Sequence, residues 1–356
     1  MDGLTKYSKK LIVVVALLVS VGTWAQVAVT LPENQNENET QVKVIKNTLE
    51  ISWPLTNRQH CKLILDLEKD KPLFKRMAIG QPDSLREIVS QIDPVFIVNV
   101  GRRTLKPENG WTIFFDRVPT RSYKSYTLDF EKTDAKVVKN GARTMVSLGK
   151  ITAPDFKGHL EITVYNGSPL FNIAAEITTQ KDSVALLYDA GLTGETPWET
   201  VAFENNEGEF EEMGTGGSTI TRDNAVKYRT IMGQNGSGAI AVFPPPHQYF
   251  YPLDEAYNLK STWHGENYRN KVPKYGIGIR QEPEGDHRFV PWFNAPPGTP
   301  QRLNFFCLLG SEGAEQLLES VKKFTHNDQY VALDGYKTLS SHFHNEFIMN
   351  VVLADK

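Results

Sequence analysis

The chain has 356 residues, of which 40% are hydrophobic and 23% are charged, and its formal net charge is −3. This slight acidic excess does not favour binding to nucleic acid, whose phosphates attract basic surfaces. A chain of this length can bury a sizeable core and forms one large domain or two ordinary ones.

Residues 1–25 have the order of a secretory signal peptide, with three lysines, an apolar stretch over 11–19 and small residues before a cleavage point after Ala25. The apolar stretch is shorter than the roughly 20 residues that cross a bilayer, although an uncleaved anchor is the alternative. Of the 39 basic and 42 acidic side chains, three lysines and Asp2 lie in this segment. Cleavage therefore leaves 36 basic and 41 acidic side chains. We expect an exported protein, periplasmic or extracellular, with no stable membrane span after cleavage.

The polar, Asn-rich sequence after the cleavage point predicts a flexible leader over residues 26–40. Short runs that alternate apolar and polar residues follow, which is typical of strands with one buried face. The first such runs carry Val42 and Val44; Leu49, Ile51 and Trp53; Leu63, Leu65 and Leu67; Phe96, Val98 and Val100; and Trp111, Ile113 and Phe115.

The clearest hairpin signal lies between Gly158 and Gly194, where two alternating runs are joined by the sequence Asn-Gly-Ser-Pro at 166–169. An Asn-Gly pair adopts the positive φ angles of a tight turn. The side chains predicted to face the core are Leu160, Ile162, Val164, Phe171, Ile173 and Ala175. Further strands are predicted over 228–232, 239–243, 275–280 and 302–309. The fold class predicted over residues 41–310 is therefore mainly β, a large antiparallel β-sandwich.

Helix is scarce in the pattern. One helix is predicted after Ser311 as N-cap, continuing to about His326 within a helix-and-linker segment over 311–334. Residues 84–92 are a second, shorter candidate. Cys61 and Cys307 are interpreted as core residues, with a single disulfide as the alternative that an exported location permits.

The C-terminal segment holds a His-x-His pair, His342 and His344. On a strand, residues two apart point the same way, so both imidazoles can bind one divalent metal. Ordinary surface histidines are the alternative.

The segment 335–347 resembles the opening strand of the PHP (polymerase and histidinol phosphatase) metallohydrolase family, and only these two histidines match its pattern. Ser340 and Asn345 stand where the family usually has Asp and Thr or Ser. The resemblance implies a divalent metal, zinc or manganese, and a domain that starts at 335 and is truncated at 356, since such a barrel needs many more residues.

A second constellation between 244 and 292 combines aromatic rings with polar side chains, a combination that suits stacking on sugars. Its candidate ligand-binding residues are His247, Tyr249, Tyr251, Trp263, His264, Tyr268 and Trp292. The alternative is that these rings pack a long loop onto the sandwich or onto a neighbouring domain.

The hairpin block from Gly158 is also similar in pattern to the galactose-mutarotase-like supersandwiches of exported carbohydrate enzymes. That likeness carries no catalytic residue over. Glycoside chemistry needs two carboxylates about 5 to 10 Å apart. Candidates for such a pair are Glu209, Glu211, Glu212 and Asp223, although acidic runs of this kind are usually solvated loops.

The leading hypothesis is an exported β-sandwich that is the accessory N-terminal part of a PHP-like metal-dependent hydrolase and is not catalytic alone. The alternative is a carbohydrate-binding or carbohydrate-active protein with carbohydrate as its partner. A structural, partner-binding domain is a third hypothesis. The residues indicate no reaction and no oligomeric state.

Overall fold

The computed structural model describes residues 27–32, 39–103, 122–195, 197–216, 220–246, 260–284, 292–328 and 335–336. The predicted signal peptide, seven of the fifteen leader residues (26 and 33–38), the strand at 111–115 and the His-x-His pair lie outside these residues, as do His247, Tyr249 and Tyr251. The other leader residues are described, and Ala28–Thr30 among them forms a strand. The domain boundaries given above remain predictions.

The described residues form two large, almost entirely antiparallel sheets packed face to face. Strands are numbered in chain order. The ten-stranded sheet has the spatial order β1 (Ala28–Thr30), β8 (Asp129–Asn140), β9 (Arg143–Ala153), β10 (Phe156–Tyr165), β11 (Leu170–Thr179), β21 (Gln301–Gly310), β17 (Gly238–Phe243), β16 (Ile231–Asn235), β13 (Thr200–Glu204) and β14 (Phe210–Gly214). Its β1–β8 pair is parallel.

The eleven-stranded sheet has the order β15 (Arg222–Asn224), β18 (Thr262–Gly265), β19 (Tyr275–Ile279), β12 (Val184–Gly194), β6 (Ser84–Arg102), β5 (Phe74–Gln81), β4 (His60–Asp66), β3 (Thr48–Pro54) and β2 (Gln41–Ile45). Two short strands complete it: β20 (Phe293–Ala295) pairs with β12, and β7 (Tyr123–Thr127) pairs with β6. The predicted large antiparallel β-sandwich is confirmed.

The predicted hairpin is β10–β11, and its register pairs Leu160 with Ala175, Ile162 with Ile173 and Val164 with Phe171. All six side chains are buried in the core between the sheets. Gly167 in the connecting turn has φ +87°, a conformation that favours glycine.

The short helix predicted over 84–92 is wrong, since these residues begin the long strand β6. Met77 pairs with Val89 and Ala78 with Glu87, so Ile88 is an extra residue in a β-bulge. The bulge buries Ile88 and Val89 together. It thereby interrupts the alternation of period two from which a strand is recognised.

The C-terminal helix is confirmed as α1 (Ala314–Thr325), followed by a 3₁₀ turn at His326–Asp328. Its N-cap is Gly313 and not Ser311, and glycine has no side chain that could accept a hydrogen bond from the first turn. The Ala314 N–H donates instead to Oε1 of Gln234, on β16, at 2.6 Å. A partner from another strand therefore satisfies a helix-end donor that usually bonds a local cap.

Cys61 in β4 and Cys307 in β21 are both buried core residues and form no disulfide, as the sequence predicted. No helix among the described residues is long and apolar enough to span a bilayer.

Candidate functional site

A cleft of about 410 Å³ lies beside one end strand of each sheet, β14 and β15. The β13–β14 hairpin contributes Phe203, Asn205, Asn206, Glu207, Glu211 and Met213 to its lining. Strand β15 and the next residue contribute Arg222, Asp223, Asn224 and Ala225. An antiparallel bridge between Asn205 and Val226 joins the two sides. This volume falls within the range of small-ligand sites.

Asn205 organises the hairpin side of the cleft. Its Oδ1 accepts hydrogen bonds from the backbone N–H groups of Glu207 and Glu209, both at 3.0 Å. Its Nδ2 donates to Oε1 of Glu211 at 2.8 Å. The Glu211 carboxylate is thus held in position by a side chain whose own place is fixed by the turn, which is the preorganisation that a binding site requires.

The opposite side of the cleft is fixed by hydrogen bonds and charge. Asp223 Oδ1 lies 3.4 Å from Nε of the buried Arg280. Asn224 donates to the hydroxyl of Thr262 at 3.3 Å. Asp223 remains more than a third exposed and is one of the residues that line the cleft.

His264, a sequence-predicted ligand-binding residue, lies directly behind the cleft. It pairs in register with Arg222, and its ring centroid is 6.3 Å from that of Phe203, so it contacts two residues of the lining. Burial, and to a lesser extent the charge of Arg222, lower the pKa of His264 to about 4. The imidazole is therefore neutral at physiological pH, and its Nδ1 has no hydrogen-bond partner among the described residues.

Arg280 connects the cleft to a buried polar cluster in the eleven-stranded sheet. At its centre is Asp189 on β12, which is 1% exposed. Asp189 accepts hydrogen bonds from the Tyr268 hydroxyl at 3.0 Å and from the Gln281 N–H at 3.1 Å, and it pairs with Arg269 at 3.1 Å. Burial raises the pKa of the Asp189 carboxyl, and Arg269, Arg280 and the two donors oppose that rise.

The other sequence-predicted residues within the described chain lie around this cluster. Trp263 and Tyr268 stack on each other and are each 1% exposed. Trp292 is half-buried, with its ring 6.1 Å from that of Tyr123 and over Gly101. The structure therefore puts His264 behind the cleft and two of the aromatic rings in a closed stack. Their part in ligand binding stays a prediction, as does that of Trp292 and of the residues outside the described chain.

Of the four carboxylates considered for glycoside chemistry, Glu211 and Asp223 line the cleft. Glu212 projects from the other face of β14, where it accepts from Thr200 and Gln234. The acidic run is not a loop throughout, since Glu211 and Glu212 lie on β14, whereas Glu209 lies in the turn before it. Sequence reasoning missed Asn205 and Arg222. The Asn-Asn-Glu-Gly turn at 205–208 between two apolar runs was the signal that could have identified the hairpin.

The chemistry of the cleft is that of a polar site with an acidic excess. Three carboxylates, from Glu207, Glu211 and Asp223, line the cleft with one guanidinium, from Arg222, and the amides of three asparagines. The buried Arg280 partly balances the charge of Asp223 from behind. Such groups donate to and accept from hydroxyls, and the ring of Phe203 adds an apolar contact. The excess negative charge disfavours anionic ligands.

No protein-family model matches the chain, and no curated protein matches it. Solved structures with some similarity include a galactose mutarotase related enzyme from Lactobacillus acidophilus, at 11% identity and TM-score 0.35, over 74% of this chain and 98% of that one. An aldose epimerase homologue from C. elegans has 10% identity and TM-score 0.34, over 77% of this chain and 99% of that one. The galactosidase domain of an alpha-galactosidase-sucrose kinase has 7% identity and TM-score 0.35, over 77% of this chain and 42% of that one. Likenesses this remote carry no argument about ligand or activity.

Proposed function

We propose that this chain binds a neutral carbohydrate in the cleft between the β13–β14 hairpin and β15. The observation that carries the proposal is the set of fixed polar side chains around about 410 Å³, with Glu211 held by Asn205 on one side and Asp223 beside Arg280 on the other. Sugars are bound through many hydrogen bonds to hydroxyls, and carboxylates and amides are strong partners for them.

The acidic excess narrows the ligand class. A uronic acid or sulfated sugar would bring negative charge beside three carboxylates, whereas a neutral hexose would not. The proposal therefore favours neutral sugars over acidic ones. The accessory-domain hypothesis depends on His342 and His344, which lie outside the described residues, and it stays a prediction.

Affinity electrophoresis and titration calorimetry against neutral and acidic glycans test this proposal. Glu211→Gln and Asp223→Asn are each expected to weaken binding about tenfold or more, because each removes a charged hydrogen-bond acceptor. Glu212→Gln is the matched control. The Glu212 carboxylate is next to Glu211 on β14, but it contacts Thr200 and Gln234 outside the cleft. Lack of binding to every neutral glycan, or equal losses in the control, would contradict the proposal.

A further inference from the structure

A second group of chemically active side chains lies on the outer face of the ten-stranded sheet, on β10 and β11, which β21, β17 and β16 separate from the β13–β14 hairpin of the cleft. His159 and Glu161 are two residues apart on β10, so both project from the same face. Glu176 on β11 is the cross-strand partner of His159. Leu160, between the first two, points to the opposite side and is buried in the core.

The metal-ligating atoms of the three side chains lie close together. One ligand atom from each of His159, Glu161 and Glu176 lies within 4.8 Å of the other two. His159 Nε2 and Glu161 Oε1 are 3.2 Å apart. This distance is that of a hydrogen bond between the two side chains. It is also close to the about 3.3 Å that separates two donors at about 2.0–2.2 Å from one tetrahedral zinc ion.

The two oxygens of Glu161 have different partners. Oε1 faces His159, whereas Oε2 accepts a hydrogen bond from the guanidinium of Arg302. Arg302 in turn donates to Oδ1 of Asn172 at 3.0 Å, and Asn172 donates to Asn304 at 2.9 Å. Metal-binding carboxylates are commonly held in this way by an outer layer of hydrogen bonds, which fixes the orientation of the ligating oxygen.

Burial and charge favour the same interpretation. Glu161 is 5% exposed although it lies on an outer face, so the cost of burying its carboxylate must be offset locally. Arg302 balances one of the two carboxylates. The His159 side chain is 35% exposed, which leaves the site open to an ion and to water.

We propose that His159, Glu161 and Glu176 bind a divalent transition metal, with zinc, cobalt or manganese as the class, and with water as the remaining ligand. One histidine and two carboxylates match the mixed nitrogen and oxygen ligands of open three-residue metal sites. This site does not depend on the carbohydrate proposal. It also differs from the metal site predicted at His342 and His344.

Calorimetry of the chelator-stripped full chain with zinc, together with cobalt absorption spectra, tests the proposal. We expect one ion per chain, with affinity reduced at least tenfold in both His159→Ala and Glu176→Gln. The visible cobalt spectrum should be lost in His159→Ala. A chain that carries both His342→Ala and His344→Ala is the control and is expected to keep the ion.

Thermal unfolding with and without zinc separates loss of the site from loss of the fold. Zinc should raise the midpoint of the wild-type chain and of the His342/His344 double variant, but not that of Glu176→Gln, whose fold is expected to be intact. The proposal is overturned if the stripped chain binds no metal. It is also overturned if binding survives His159→Ala and disappears in the double variant.

Discussion

The indole ring of Trp263 lies parallel to the phenol ring of Tyr268, with 4.0 Å between the ring centroids and 8° between the planes. The Tyr268 hydroxyl reaches down to Asp189, so the aromatic pair covers a buried ion pair. Trp263 is on β18 and Asp189 on β12, on either side of β19. The stack therefore packs against one face of three neighbouring strands next to the cleft.

Gly278→Ala tests how tightly this stack is packed. A Cβ at Gly278 would lie 2.5 Å from the Trp263 Nε1 atom and 2.2 Å from the Ala190 carbonyl oxygen, so the ring and the strand must both shift. Overpacking of this kind costs about 1–3 kcal/mol in the free energy of unfolding, measured by urea denaturation. Gly214→Ala is the control, because a Cβ there meets nothing within 4 Å, and it should cost far less. Equal effects would show that the stack is not tightly packed.

Asp189→Asn tests the buried ion pair. The substitution leaves Arg269 without its carboxylate partner in a buried setting, and breaking such a pair typically costs about 3–5 kcal/mol. Denaturant unfolding monitored by tryptophan fluorescence measures the loss. Asp155→Asn, which breaks an exposed pair with Lys181, should leave the unfolding midpoint nearly unchanged. An unchanged midpoint for Asp189→Asn would mean that the pair contributes nothing to stability.

His264 predicts a specific pH dependence of stability. Its pKa is about 4 in the folded chain and about 6.5 when unfolded, so between these values only the unfolded chain takes up the proton. The contribution of His264 to the free energy of unfolding is therefore fully present above pH 6.5. It falls as the pH is lowered towards 4, by at most about 3 kcal/mol in total. The difference in pH dependence between the wild type and His264→Gln isolates this contribution. Identical pH profiles for the two chains would contradict it.

Cys61 and Cys307 should be inaccessible thiols. Burial raises the pKa of both thiol groups, so neither forms a reactive thiolate at neutral pH. A chromogenic thiol reagent should react with almost no thiol groups in the native chain. After unfolding in urea it should react with two thiol groups per chain. Detection of no thiols in unfolded, unreduced protein would instead indicate the disulfide, contrary to the structure.

Local patterns predicted much of the fold because strand alternation and helix amphipathicity are properties of neighbouring residues. The β10–β11 hairpin follows from its alternation and its Asn-Gly turn, and α1 follows from its apolar stripe. The pattern failed at Ile88, where a bulge breaks the alternation. It also failed at the helix start, where Gln234 from another strand replaces a local cap.

The sequence by itself determined that the chain is mainly β, which side chains face its core and where the last helix lies, since these depend on the spacing of apolar residues. Only the tertiary structure decided that Glu211 and Asp223 share one cleft, because they belong to end strands of different sheets. Likewise, periodicity marks His159, Glu161 and Glu176 as outward-facing. Their convergence depends on the register of β10 against β11 and on Arg302 from β21, two strands from β10.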